Sequence, residues 1–503
     1  MKLHFIDEPE LEFAGAGRHI DIRHGLTEHG PLDRGLPSAP QAVRAGVVGA
    51  AKDVERLRAW IDHCRSGVDA KSSKRTTLFV GFPGFGGSET LCDFIVDDRL
   101  IDVISSADIR DIGEAAIDEF YTASIKRYRE GAADLIEKAN ANVVLCLLPE
   151  EFVRRIDVPA TPETGPRSRH KRNRNVEVVW HDAFKAEALD LARPVQIVRP
   201  ATYGGNVHHF TRDGSVVREM QDEATRAWNF FCALYYKAGG IPWRLAREST
   251  DLMTCYMGIS FYHDPASETL RTSVAQVFNE RGEGMVVRGG PAVLDDRDHT
   301  PHLSPKDAEQ LLTQAVNAFR REHRTSPARL VIHKSSYFTA AELEGGAAAV
   351  KQLHIDAYDL LSLRPSHTRL YRAHSYPPLR GTAVIHTEGC LLYTQGSVDF
   401  YRCYPGLYAP RTLDELLAAS RAPVPRGYPG LYAPRTLDVQ LDHAESGEIG
   451  LLSELLALTK MNWNSTELIN LEPITLSAAR NVGGILRYVS SSRTTQSRYS
   501  FFM

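Results

Sequence analysis

Tyr235-Tyr236-Lys237-Ala238-Gly239-Gly240-Ile241-Pro242-Trp243-Arg244-Leu245 decides how the chain divides. The lysine closes a helix, the paired glycines end it, and Pro-Trp opens a new unit. Upstream, residues 223–238 predict an amphipathic helix whose bulk comes from Trp228, Phe231, Ala233, Leu234 and Tyr235. Earlier still, Val179-Trp180-His181-Asp182-Ala183-Phe184-Lys185-Ala186 reads as a helix start with His181 and Lys185 at i and i+4, on one face. Gln196 lies in Pro194-Val195-Gln196-Ile197-Val198-Arg199, an apolar alternation that predicts a short buried strand. Each of these residues has an ordinary reading too. A histidine at a helix start is more often a cap or a core residue, and a lysine near a helix C-terminus often answers the helix dipole.

The order His181, Lys185, Gln196, Lys237 ahead of Lys-Ala-Gly-Gly-Ile-Pro-Trp resembles the junction of the MID and PIWI domains of Argonaute proteins, in the form found in short prokaryotic Argonautes. The likeness begins with Leu3-His4-Phe5-Ile6-Asp7-Glu8-Pro9-Glu10-Leu11-Glu12-Phe13 and Gly30-Pro31-Leu32-Asp33, and is densest over residues 179–262 and 454–488. It implies an α/β fold, a Rossmann-like MID domain followed by an RNase-H-like PIWI domain. The expected boundaries are 1–70 for an N-terminal segment packing with PIWI or MID, 71–238 for MID and 239–503 for PIWI.

The resemblance also implies a site. Lys185 and Lys237 would grip the 5′-phosphate of a guide RNA, Gln196 would donate its amide, and His181 would contact or stack on the first nucleotide. Asn229 is a further donor with a looser match. A phosphate monoester carries about −1.5 to −2 charges at pH 7, so it needs several convergent donors. The tail Ser497-Arg498-Tyr499-Ser500-Phe501-Phe502-Met503 resembles the buried C-termini of the family. There the terminal carboxylate, here that of Met503, helps hold a Mg²⁺ ion beside the phosphate.

Ribonuclease-H-type cleavage needs clustered carboxylates that hold two divalent metals. In the first PIWI strand, Thr254-Cys255-Tyr256-Met257-Gly258-Ile259-Ser260-Phe261-Tyr262, slicing relatives carry aspartate where this chain has Ser260. In Arg329-Leu330-Val331-Ile332-His333-Lys334-Ser335-Ser336 the second aspartate position falls on Lys334, whose ammonium would repel the metals. Pro473-Ile474-Thr475-Leu476-Ser477-Ala478-Ala479-Arg480 offers no acid or histidine as a last ligand. Asp264, Glu342 and Glu388 are other carboxylates in the region. The reading is a non-slicing PIWI domain with no catalytic residues of its own.

A chain of 503 residues that is 43% hydrophobic is long enough for two cores. Its net charge of −4 argues against coating nucleic acid by bulk charge, so binding must use local patches. Arg167-Ser168-Arg169-His170-Lys171-Arg172-Asn173-Arg174 is one candidate, or else a solvated loop. Cys64, Cys92, Cys146, Cys232, Cys255, Cys390 and Cys403 show no metal-ligand spacing. Gly81-Phe82-Pro83-Gly84-Phe85-Gly86-Gly87-Ser88, after an expected strand at 77–80, lacks the lysine of a phosphate loop and reads as a turn between strand and helix. Residues 404–414 recur identically as 428–438, a local duplication. With no leader or long apolar span, the expected location is the cytoplasm.

The function these expectations define is that of a sensor subunit in a prokaryotic immune complex. Guide RNA directs it to invading plasmid or phage DNA, and an associated APAZ-domain effector, a NAD-depleting TIR or sirtuin-type domain or a nuclease, is activated to kill or arrest the cell. The implied partners are a 5′-phosphorylated guide RNA, a complementary single-stranded DNA target and the APAZ protein as a heterodimer. The alternatives are an active guided nuclease with a rearranged metal site and a guide-independent nucleic-acid-binding protein.

Overall fold

The structure is a computed structural model that describes all residues except 87–90, 158–178, 205–208, 211–215, 219, 248–251, 265–268, 278–283, 296–298, 371–377, 388, 406–433, 491–492 and 494–495. The basic run at 167–174, Glu388 and most of the duplicated segment lie outside the described residues.

A parallel sheet is built around the Ala42–Ala50 strand. That strand pairs on one side with Asp93–Ile95 and Ile101–Ile104, and on the other with Val143–Leu147, which in turn pairs with Val195–Val198. Both faces are covered, so the strands read as nearly continuous apolar runs. Val43, Ala45, Val47, Val143 and Leu145 pack with residues of the helices Ala51–Arg65 and Glu223–Lys237. Val48, Val144 and Cys146 pack with residues of Ile117–Ala139 and Trp180–Glu187. The sheet takes its central strand from residues 42–50, ahead of the boundary drawn at 71.

A ten-stranded mixed sheet forms the other layer system. Thr254–Asp264 lies antiparallel to Thr269–Val277 and parallel to Arg329–Lys334, which is parallel to Ala357–Ser366. Outward from these run Gly284–Leu294 and Pro301–His302 on one side, and Thr436–His443, Gly389–Leu392, Thr382–His386 and Lys2–Phe5 on the other. Helices Pro305–His323 and Ala340–Leu353 cover one face, with caps from Ser304 and Thr339, and Thr339 and Glu342 close a capping box. Glu448–Leu458 packs on the other face, joined there by Leu476 at the start of Ile474–Leu486. The latter helix approaches Thr254–Asp264 so closely that a Cβ on Gly258 would sit 2.1 Å from the Thr475 carbonyl oxygen.

Both chain ends tie the two sheets together. Lys2–Phe5 joins the edge of the large sheet, while Leu11–Glu12 pairs with Arg18–His19 and with Arg244–Leu245, just past the Pro-Trp junction. Glu8 is pinned by Arg380 at 2.8 Å and Lys460 at 3.1 Å, both buried. At the other end Val286 donates its amide to Ser497 across 2.6 Å, and Phe501, Phe502 and Met503 then bury in the core that contains Trp228 and Tyr236.

One expected strand is corrected. Residues 77–80 form a turn, in which the Leu78 amide donates to the Arg75 carbonyl, because Leu78 and Phe79 bury against Val398, Tyr401 and Cys403. Among the described residues, the next element after the glycine-rich stretch is the Asp93–Ile95 strand. Three apolar residues in a row, Leu78, Phe79 and Val80, are too short a signal to separate a strand from a buried turn.

Candidate functional site

The Glu223–Lys237 helix starts at Asp222, whose carboxylate accepts from the Thr225 amide, and ends at Lys237. Gly239 follows with φ 98°, a left-handed conformation that a side chain would strain, so the helix stops there. The turn is held from a distance. Asp33 accepts the Tyr235 hydroxyl at 2.6 Å and the Ile241 amide at 3.0 Å, and the Leu32 amide donates to the Pro242 carbonyl. Nothing in the spacing of the motif pointed to Asp33, although Gly30-Pro31-Leu32-Asp33 belonged to the resemblance.

Lys185, on the Trp180–Glu187 helix, points between that helix and the parallel sheet. Its Nζ donates to the Val195 carbonyl at 2.6 Å and to the main-chain oxygen of Met503. Lys237 donates to the side-chain oxygen of Gln196, on the Val195–Val198 strand. Four elements therefore converge, bringing Lys185, Gln196, Lys237 and Met503 together. Both lysines are buried, at 1% and 3% exposure, and among the described residues no side-chain carboxylate pairs with either amine. Burial pushes Lys185 down to about 7, with the Cys146 thiol acting weakly in the opposite sense. Lys237 is pushed well below the ordinary lysine range by burial and then by its like-charged neighbour Lys185.

Two other expected residues lie apart from this group. The His181 side chain is half exposed, with Nδ1 2.9 Å from the Asp182 carboxylate. Asn229 is committed elsewhere: its oxygen accepts from the Thr466 amide and hydroxyl at 2.8 and 2.9 Å, and its nitrogen donates to Gln221.

Paired buried amines and one amide form a donor set for an anion. A bare Mg²⁺ does not fit it, because the main-chain oxygen of Met503 faces an ammonium and the group holds no side-chain carboxylate.

The positions expected to carry cleavage acids lie in the large sheet. Ser260 is buried, one residue beyond Ile259, which is in register with Lys334 on the parallel neighbour. Lys334 is fully buried, its Nζ 2.9 Å from the Glu342 carboxylate and 2.7 Å from the Tyr337 carbonyl, with the Phe261 and Phe338 rings 5.6 and 5.2 Å away. Glu342 also accepts from the Leu303 and Thr339 amides. Asp264 pairs with Arg271 at 2.9 Å. The carboxylates around Lys334 form no three-ligand metal group among the described residues.

These two sheets define an Argonaute/Piwi fold. The chain superposes on Clostridium butyricum Argonaute, solved with a guide DNA and a 19-mer target DNA, with a TM-score of 0.61, 12% identity and 98% of this chain covered. Drosophila Piwi gives a TM-score of 0.55 at 12% identity over 99% of this chain, and Aa-Ago with externally bound siRNA gives 0.54 at 11% over 100%. The chain spans about half the length of these proteins, 53%, 56% and 56% respectively. No protein-family model and no curated protein sequence matches it. No helix among the described residues is long and apolar enough to cross a membrane.

Asp33→Ala leaves the Tyr235 hydroxyl and the Ile241 amide without their acceptor, at about 1–3 kcal/mol for each orphaned donor. The expected result is a lower melting temperature, restored in part by Asp33→Asn. An unchanged melting curve for the alanine variant would show that the turn does not depend on this clamp.

Proposed function

We propose that this protein binds the 5′-phosphate of a guide RNA in the Lys185, Gln196 and Lys237 cluster and uses the guide to recognise complementary DNA. In this reading the parallel sheet is a Rossmann-like MID domain and the ten-stranded sheet an RNase-H-like PIWI domain. The observation that carries it is the pair of buried lysines without a side-chain carboxylate. The Met503 terminal oxygen meets Lys185 while Lys237, among the described residues, meets only the neutral Gln196 amide, so the second buried amine is costly unless a further anion completes the pair, and a phosphate end does so while leaving the rest of the strand in solvent. The neighbour from Clostridium butyricum supports the reading through its guide and target strands. In this reading His181, half exposed on the same helix as Lys185, would contact or stack on the first nucleotide.

The PIWI domain does not slice in this proposal. Lys334 and Glu342 neutralise each other where metal-binding acids would be needed, so a guide-bound target must be reported by another subunit. The output then passes to an APAZ-domain effector of a prokaryotic immune complex in the cytoplasm, triggered by plasmid or phage DNA. A Mg²⁺ ion held by the Met503 carboxylate belongs to the proposal only as a ligand that arrives with the phosphate, whose oxygens supply what the protein lacks.

Two measurements test these halves. The purified chain should bind 5′-phosphorylated RNA at least about tenfold more tightly than the same RNA with a 5′-hydroxyl, the worth of one charge-assisted hydrogen bond or more. Equal affinities would remove the site assignment. Loaded with guide and complementary DNA in Mg²⁺ or Mn²⁺, it should leave the target intact; products that form with the metal and vanish with EDTA would contradict the non-slicing reading.

A further inference from the structure

We propose that His19, His24 and Glu28 form a divalent transition-metal site, suited to Zn²⁺, that fastens the N-terminal segment. One nitrogen from each imidazole and one Glu28 oxygen lie within 4.8 Å of one another, and this is the one such group among the described residues. The residues come from two adjoining elements. His19 ends the Arg18–His19 strand, and His24 and Glu28 sit at i and i+4 on the Ile22–His29 helix, so both face the same side.

The ring geometry suits chelation. With Zn–N at about 2.1 Å, an imidazole centroid lies roughly 3.2 Å from the metal, and two rings at the tetrahedral angle have centroids about 5.2 Å apart. The His19 and His24 centroids are 5.3 Å apart. Phe400 stands edge-on to both at 5.3 Å and closes one side of the group.

Metal-binding imidazoles characteristically donate their second nitrogen to a carbonyl or carboxylate. His24 Nε2 lies 3.1 Å from the Thr77 carbonyl, which leaves Nδ1 as the ligand atom. His19 Nδ1 lies 3.1 Å from the Asp21 carbonyl and 2.8 Å from the Asp21 amide. The tautomer that donates to the carbonyl frees Nε2 for metal, whereas without metal Nδ1 accepts from the amide. Loading therefore selects one tautomer. Glu28 is exposed and 3.8 Å from His29, a weak contact that the metal replaces. Solvent water completes the coordination, as the exposed side of the group allows.

The site joins a strand, the outer side of a helix whose Ile22 and Leu26 are buried in the core, and the Thr77 turn. Six of the seven cysteines are buried and Cys92 is half-buried, so thiols offer a divalent metal no exposed competing site.

The test uses the untagged full chain, stripped with EDTA and titrated with Zn²⁺ by calorimetry, then with Co²⁺ while visible absorption is recorded. The expected result is one metal per chain, a tetrahedral Co²⁺ spectrum and a raised melting temperature. Glu28→Gln, an exposed change that leaves the fold intact, should weaken binding at least about tenfold, and His24→Ala should abolish it. No metal uptake by the folded wild-type chain would overturn the proposal. So would uptake that both variants retain unchanged.

Discussion

Lys185→Met combined with Lys237→Met is expected to weaken binding of 5′-phosphorylated RNA by about 10²–10⁴-fold and to erase the preference over 5′-hydroxyl RNA. Each charge-assisted hydrogen bond is worth about 1.5–3 kcal/mol, and a factor of ten corresponds to about 1.4 kcal/mol. The same change should move the melting temperature little, because two opposing effects offset each other. Methionine fills a similar volume and removes the desolvation cost of two buried amines, while the Val195, Met503 and Gln196 oxygens lose their donors. Loss of the 5′-phosphate preference without a matching loss of stability separates a binding role from a structural one. If the lysines were scaffold, the double variant would lose stability and would bind both RNAs equally less well. Separate titrations of the two RNAs, with melting curves on the same preparations, decide between these outcomes.

The second large effect is on pH dependence. In the free protein burial brings Lys185 to about 7 from its usual 10.5, and Lys237 lies well below that usual value. A bound phosphate dianion favours the ammonium forms, so it raises both, and binding above pH 7 must take up protons. Affinity for 5′-phosphorylated RNA should therefore fall as pH rises from 7 to 9, by up to about tenfold per pH unit for each proton taken up. Below pH 7 Lys185 is already charged in the free protein and its contribution levels off, while protonation of the phosphate itself, near pH 6, begins to oppose binding. The folding linkage has the corresponding sign. Both amines are neutral above 10.5 in folded and unfolded chains alike, and the cost of burying Lys185 grows as pH falls from there to about 7, then stays constant. Affinities measured from pH 6 to 9 in one buffer series, with 5′-hydroxyl RNA as control, give the slope. A flat profile for the phosphorylated strand would mean that the lysines are charged in the free protein.

Local signals carried the elements around the junction. Helix Glu223–Lys237 and strand Val195–Val198 follow from apolar spacing and helix-end chemistry within a dozen residues. Long-range partners were not legible in the same way. Asp33 reaches Tyr235 across 202 positions, and its acceptor role leaves no periodic mark. Ala42–Ala50 is rich in alanine and glycine, which lowers its apolar bulk, so the strand at the centre of the parallel sheet did not stand out and the boundary was drawn at 71. The occupants of the two expected acid positions could be read from the string, but the reason a buried lysine is tolerated could not. It depends on Glu342, whose carboxylate the capping box brings beside Lys334. Asn229, a polar residue well spaced on the Lys237 helix, is turned to the Thr466 loop, a contact that leaves no mark in the local spacing.

The most direct measurement is to purify the chain from its native cells, with whatever protein accompanies it, and to sequence the bound nucleic acids together with their end chemistry. The account predicts short RNAs carrying 5′-phosphates, which the Lys185→Met, Lys237→Met chain fails to retain, and an APAZ-domain protein in the same complex. Nucleic acids without 5′-phosphates, or a lysine variant that keeps its full complement of phosphorylated RNA, would contradict it.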